Sequence, residues 1–163
     1  MTAEHKKYLK QQTVIAFFSN GIINLIIAYF LNRNSSIESF DMATNYLNLI
    51  IDITITCFIS GWLIAWSAND NVKKSGLAAS VPPQNKWQSR MAALFKMPVR
   101  YAWLLCLVII PVFYGLTALG ILLFGITGFT FWGFVIYKTC YTALMGCFFM
   151  GVLLYSGIHK QGG

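Results

Sequence analysis

Four long apolar runs, separated by shorter polar connections, dominate the hydrophobic pattern of this chain. They cover residues 13–31, 46–66, 101–125 and 129–157. A transmembrane helix needs about 20 mostly apolar residues, and each run is close to or above that length. The pattern therefore predicts an all-α integral membrane protein, a four-transmembrane-helix bundle that forms a single membrane domain over residues 1–163.

A weaker helical pattern lies in the connection between the second and third runs. After the turn-forming stretch SGLAASVPPQ, Trp87, Met91, Leu94 and Phe95 recur at helical spacing, flanked by basic residues. This predicts a short amphipathic helix over residues 85–96 that lies along the inner leaflet. Two alternatives stay open: the segment is only a basic elbow leading into the third span, or it docks a partner.

Composition agrees with the membrane interpretation. Hydrophobic residues make up 57% of the chain and charged residues 10%, far from the balance of a soluble domain. The net charge of +7 would favour nucleic-acid binding in a soluble protein. Here the basic residues lie between apolar runs and no nucleic-acid motif is present. We therefore expect the lipid bilayer as partner, no nucleic acid, and either a homodimer or a partner membrane protein.

The basic residues are distributed unevenly between the connections. Of the 12, three precede the first run, six lie within residues 67–100 and one follows the last run, whereas residues 32–45 contain only Arg33, beside Glu38 and Asp41. The positive-inside rule then predicts a multi-pass protein of the cell membrane with both termini in the cytoplasm. The first run ends in YFLNRN without a small-residue cleavage site, so we expect a retained helix rather than a signal peptide.

Residue types that carry out catalysis or bind metals are scattered. Cys57, Cys106, Cys140 and Cys147 all lie in apolar segments without a CxxC spacing, and the two histidines stand near the chain ends. Buried thiols of this kind usually pack as small apolar side chains. No HExxH or GxSxG motif is present. We therefore expect no metal, no cofactor and no catalytic constellation.

The fourth run contains a lysine, Lys138, and the second an aspartate, Asp52. With the predicted spans, Lys138, Asp52, Asn24 and Thr117 all lie roughly 9–12 Å below the outer boundary of the bilayer. An ion pair is the least costly way to hold both charges in hydrocarbon. We therefore predict a Lys138–Asp52 pair with Asn24 and Thr117 within hydrogen-bonding reach. Alternatively, Lys138 snorkels outward and leaves Asp52 alone, or the pair is purely structural.

Small and polar residues also recur every fourth position along the runs, and such rows face other helices in a bilayer. Together with the residues at the level of the charges, they define a candidate polar layer. It comprises Asp52, Lys138, Asn24, Asn20, Thr117, Asn48 and Thr56.

Three stretches, FFSNGIINLIIAYFLNR, DITITCFISGWLIAW and IYK, together resemble a group of small four-span bacterial membrane proteins. Members of that group are described as uncharacterised membrane proteins or as permeases. The resemblance covers most of the chain but implies no assigned chemistry and no site residues. The small multidrug exporters are different, because their first helix carries a glutamate where this chain has Asn20 and Asn24.

Three functions from different classes follow from these observations. The first is a transporter, or a permease-like protein that binds a small molecule or ion, because one acid and one base in a polar layer could hold a zwitterion or relay a proton. The alternative is an accessory or scaffolding subunit of a larger membrane complex, in which the layer only specifies the bundle. The third is an intramembrane enzyme, for which the sequence supplies no nucleophile–base pair.

Overall fold

The computed structural model describes residues 1–33, 39–78 and 80–159. In this part of the chain there are five α-helices: α1 (Ala3–Asn32), α2 (Met42–Lys74), α3 (Lys86–Leu94), α4 (Pro98–Phe124) and α5 (Phe131–Ile158). Four of them, all except α3, are long and apolar enough to span a membrane. This is the pattern of a multi-pass membrane protein. Glu38 and Lys160, on which the charge argument partly rests, lie outside the described residues.

The helix ends follow local sequence signals. Thr2 caps α1 through a capping box with His5, Asn85 caps α3, and Thr130 caps α5 by accepting a bond from the Gly133 amide. Gly125 ends α4 in the left-handed conformation, with φ of 59°. α1 and α2 are longer than the apolar runs inside them because their polar first or last turns continue the same helix.

Two short strands, which the hydrophobic pattern does not predict, join the beginnings of α2 and α5. β1 (Ser39–Asp41) pairs antiparallel with β2 (Gly128–Thr130). We call this the strand end of the bundle. The opposite end, the basic end, holds the start of α1, the connection from α2 to α4 and the end of α5. There Val81 pairs with His159, and the His5 Nε2 lies 2.9 Å from the Ser80 hydroxyl oxygen.

α5 is the central helix, and α1, α2, α3 and α4 all pack against it. Its small residues allow this close packing: a Cβ at Gly146 would lie 2.7 Å from the carbonyl oxygen of Ala16 on α1. Near the other end of α5, a Cβ at Gly157 would lie 2.7 Å from the Phe95 ring, which follows α3. Gly146, which stands in one of the rows of small residues on α5, therefore does face a neighbouring helix at close backbone approach.

α3 confirms the short helix predicted over 85–96, with bounds of 86–94, but its apolar residues divide between two faces. Phe95 and Met91 pack towards the bundle, whereas the side chains of Trp87 and Leu94 are 67% and 44% exposed. The placement of α3 along the inner leaflet stays a prediction.

The exterior of the bundle is apolar over most of its height. Exposed isoleucine, leucine and phenylalanine side chains cover α1, α2 and α4, among them Phe18, Ile22, Leu107, Leu116 and Leu122. A soluble monomer rarely exposes so much contiguous apolar surface. Many of the polar side chains of the spans lie instead on the inner faces of α1, α2 and α5, among them Asn24, Thr56 and Lys138.

Candidate functional site: a polar groove between α1 and α2

Asp52 and Lys138 form an ion pair inside the bundle. The ammonium nitrogen of Lys138 donates to Oδ1 of Asp52, and the hydroxyl of Tyr141 donates to Oδ2 at 2.6 Å. Both carboxylate oxygens are therefore engaged by α5. Lys138 does not snorkel outward, since its side chain is only 7% exposed. The Asp52 side chain is 25% exposed, so the carboxylate is the more accessible member of the pair.

The accessible side of Asp52 faces a groove of about 420 Å³, which we call the polar groove. Its two walls are α1 and α2, which barely touch each other, and α5 forms its floor. Polar residues from all three helices line it at successive levels: Gln12, Ser19, Asn20, Asn24, Asp52, Thr56, Ser60, Ser67, Asn71 and Lys138. Isoleucines and leucines fill the positions between them, so the lining alternates between polar and apolar along each wall.

The polar residues of α2 follow a helical row. Asp52, Thr56 and Ser60 follow one another at intervals of four residues, and Ser67 and Asn71 continue the same face about two turns further towards the basic end. Asp52 and Asn71 are nineteen residues apart, which corresponds to about 28 Å along a helix. That distance is close to the roughly 30 Å thickness of a bilayer's hydrocarbon core. The polar lining thus extends over nearly the full height that lipid would cover.

Asn20 and Asn24 line the groove from α1, but neither contacts the ion pair. The Asn20 amide donates to the backbone carbonyl of Thr142 on α5, and the Asn24 amide donates to the Asn20 carbonyl at 2.9 Å. The prediction that Asn24 lies within hydrogen-bonding reach of the charges is therefore wrong. The reason is that α1 packs on the Thr142–Gly146 face of α5, and the short asparagine side chain is satisfied within its own helix and by α5.

Thr117 does not join the layer either. Its hydroxyl lies 2.7 Å from the hydroxyl of Tyr137, on the side of α5 that faces α4. Thr117 was predicted to join the layer because it lies at the same depth as the charges. Depth does not determine on which side of α5 a neighbouring helix lies. Asn48, one turn before Asp52, is exposed, whereas Thr56, one turn after it, is buried and interacts with the Tyr141 hydroxyl.

At the basic end the two walls of the groove are joined by hydrogen bonds. The side chain of Asn71 donates to Gln12 at 3.4 Å, and the hydroxyl of Tyr8 donates to the Asn71 carbonyl at 2.9 Å. These bonds cross directly from α1 to α2. They hold the two walls together at this level, beyond Ser67 towards the basic end.

Tyr141 is the main site residue that sequence reasoning missed. It stands three residues after Lys138, so both side chains project from one face of α5. That spacing could have identified it as a donor for Asp52. Gln12, Ser67 and Asn71 were missed because they lie at the ends of the apolar runs, where polar residues are ordinary.

No protein-family model, curated protein or solved structure matches this chain. The geometry of the groove is therefore the basis on which a function can be inferred. The resemblance to small four-span membrane proteins remains a resemblance.

Proposed function

We propose that the protein is a multi-pass membrane transporter, or permease-like binding protein, whose polar groove holds a small zwitterionic solute. The observation that carries this proposal is the polar lining from Asp52 to Asn71, whose length is close to the thickness of a bilayer's hydrocarbon core. Polar side chains in hydrocarbon are costly and are retained mainly where they line a pathway or meet a partner. A volume of about 420 Å³ suits a small-molecule site.

The ion pair supplies the recognition chemistry. The ammonium group of the solute binds the exposed side of the Asp52 carboxylate. The carboxylate of the solute then pairs with the Lys138 ammonium. Each protein charge exchanges one partner for another, so no charge is left unpaired in a medium where that would cost several kcal/mol. The Tyr141 hydroxyl holds Asp52 in place during this exchange.

The hydrogen bonds between Gln12, Asn71 and Tyr8 form the gate of this mechanism. While these bonds hold α1 against α2, the solute in this mechanism reaches the site from the strand end and not from the basic end. Breaking them separates the walls at the basic end and completes the path. With the basic end in the cytoplasm, as the positive-inside rule predicts, the solute enters from outside.

Uptake of a mixture of radiolabelled amino acids into proteoliposomes tests the proposal. We expect the wild-type protein to accumulate label above protein-free liposomes, and Asp52→Asn to abolish the uptake. Asp70→Asn is the matched control, because Asp70 lies on the same helix but forms an exposed ion pair with Lys74. If wild-type protein with native helix content gives no uptake above protein-free liposomes, the proposal is wrong for this class of solute.

One observation favours a second candidate, an accessory subunit. The polar groove is open sideways, and a transmembrane helix of a partner membrane protein could fill it and hydrogen-bond to its polar lining. A photo-reactive phenylalanine analogue at Ile59, on the apolar part of the wall, distinguishes the two. Cross-linking to a protein in native membranes would favour the accessory role, whereas uptake without cross-linking favours transport.

A further inference from the structure

A second groove, of about 450 Å³, lies at the basic end between α1, α3 and α5. We call it the basic-end groove. It shares no lining residue with the polar groove, so an inference about it does not rest on the proposed transport function. Its polar lining is Lys6, Lys10, Thr13 and Tyr155, and its apolar lining includes Val14 and Val152.

The two lysines give this groove an uncompensated positive charge. Lys6 and Lys10 are four residues apart on α1, so their side chains lie side by side. Within residues 1–33, 39–78 and 80–159, ion pairs join only Lys74 to Asp70 and Lys138 to Asp52. Neither lysine of the groove is therefore neutralised by an acidic side chain of the described residues.

Hydroxyl groups add hydrogen-bond donors beside the lysines. The Tyr155 oxygen accepts a bond from the Gln88 amide at 2.7 Å, and Gln88 is on α3. A phenolic hydroxyl has one proton of its own, and accepting this bond leaves that proton for another acceptor. The Thr13 hydroxyl lines the same groove. Two ammonium groups and two hydroxyls thus converge on one space, a donor set suited to phosphate oxygens.

Beside its polar lining, the basic-end groove offers room for an apolar chain. Val14 and Val152 line it, and Gly151, which also lines it, has no side chain. A Cβ at Gly151 would meet nothing closer than the Thr13 hydroxyl oxygen, at 3.7 Å. The walls of the groove are apolar in the direction of the membrane core. A soluble phosphate or an acidic peptide would have no use for this apolar surface.

The level of the groove matches the lipid headgroups. α1 has 30 residues and is about 45 Å long, whereas the hydrocarbon core is about 30 Å thick. Its first turns, with Lys6 and Lys10, therefore extend beyond the core. Trp87 on α3, at the same end, exposes 67% of its surface, and tryptophan is enriched at membrane interfaces.

We infer that the basic-end groove binds one anionic phospholipid. Lys6 and Lys10 hold the phosphate together with the Tyr155 and Thr13 hydroxyls, and one acyl chain lies along Val14 and Val152 over Gly151. The site joins α1, α3 and α5 through the lipid, so its occupancy stabilises the start of α1 against the bundle.

Native mass spectrometry of the purified full-length protein tests this, with phosphatidylglycerol and phosphatidylcholine titrated separately in detergent micelles. We expect the wild-type protein to retain one phosphatidylglycerol in preference to phosphatidylcholine. Lys6→Gln combined with Lys10→Gln should weaken phosphatidylglycerol retention about tenfold or more, because each lysine near a membrane surface contributes appreciably to anionic-lipid binding. Both residues are exposed, so the fold should not change.

Two further variants separate a built site from general surface attraction. Lys73→Gln combined with Lys96→Gln removes the same charge at the same end but outside the groove, and it should retain the lipid as wild type does. Gly151→Leu keeps every charge but fills the space for the chain, and it should lose the lipid. Equal loss in both double variants, or wild-type retention by Gly151→Leu with native helix content, would overturn the inference.

Discussion

Asp52 receives two donors from one neighbouring helix, one on each carboxylate oxygen. Lys138 neutralises its charge, and Tyr141 satisfies the second oxygen. In hydrocarbon, leaving either group without its partner costs far more than forming the pair gains, because solvent cannot replace the lost contact. Every buried side-chain nitrogen and oxygen of the described residues has a hydrogen-bond partner, which follows the same rule.

Lys138→Leu alone should destabilise the protein more than Lys138→Leu combined with Asp52→Leu. The single substitution strands a carboxylate and should cost about 3–5 kcal/mol, whereas the double substitution removes both charges. The free energy of unfolding, measured by dodecyl sulfate titration with circular dichroism, checks this. A double variant at least as unstable as the single one would mean that the two residues do not act as a pair.

Tyr141→Phe should lower the free energy of unfolding by about 1.5–3 kcal/mol, because it removes a hydrogen bond to a charged oxygen. Tyr137→Phe is the comparison, since the Tyr137 hydroxyl lies 2.7 Å from the neutral Thr117 hydroxyl. The same titration measures both. If Tyr137→Phe costs more than Tyr141→Phe, the charged hydrogen bond is not the stronger one.

Helix α5 organises the bundle because its small residues let neighbouring backbones approach. Gly146 admits the backbone of α1, and Gly157 admits the Phe95 ring at the basic end. Lipid is as apolar as the helices, so packing of this kind, rather than apolar burial, holds the spans together. The exposed outer faces of α1 and α4 need only be apolar. Leucine, isoleucine and phenylalanine are therefore mixed there.

Gly146→Ala should therefore destabilise the α1–α5 contact by about 1–3 kcal/mol, because its Cβ meets backbone that cannot yield locally. Gly115→Ala on α4 is the matched control. Nothing lies within 4 Å of a Cβ there, so we expect no loss and a gain of up to about 1 kcal/mol from helix propensity. Unfolding in detergent measures both, and equal effects of the two alanines would contradict the close approach at Gly146.

At the scale of the whole molecule, the structure brings the start of α1, the basic connection and the end of α5 to the same end. This agrees with an even number of crossings. Which side of the membrane this end occupies follows only from charge, through the positive-inside rule. The two grooves differ accordingly: the basic-end groove lies at the level where the lysines are concentrated, and the polar groove extends away from it.

Cysteines introduced at Ser36 and Ser75 test the orientation in intact cells. A membrane-impermeant maleimide should label the Ser36→Cys variant from outside and leave the Ser75→Cys variant unlabelled until the cells are opened. The physical reason is the cost of moving the basic connection across the membrane. Labelling of Ser75→Cys from outside would invert the orientation and, with it, the direction proposed for transport.

The number, order and approximate bounds of the long helices could be read from the sequence alone, because a membrane span is a local property of about 20 consecutive residues. The Lys138–Asp52 pair was also predictable, because an unpaired charge in hydrocarbon is costly and each of these two residues offers the other a partner. The charge asymmetry of the connections is equally local. For these features no knowledge of the packing was needed.

Tertiary structure decided which helices are neighbours. Depth placed Asn24 and Thr117 level with the charges, but α1 packs on the far side of α5 from α4, so one faces the polar groove and the other faces Tyr137. The same packing separates α1 from α2 and creates the groove between them. Rotation and adjacency arise from close contacts such as Gly146 against Ala16, and these depend on pairs of residues about 130 positions apart, which no periodicity within one helix encodes.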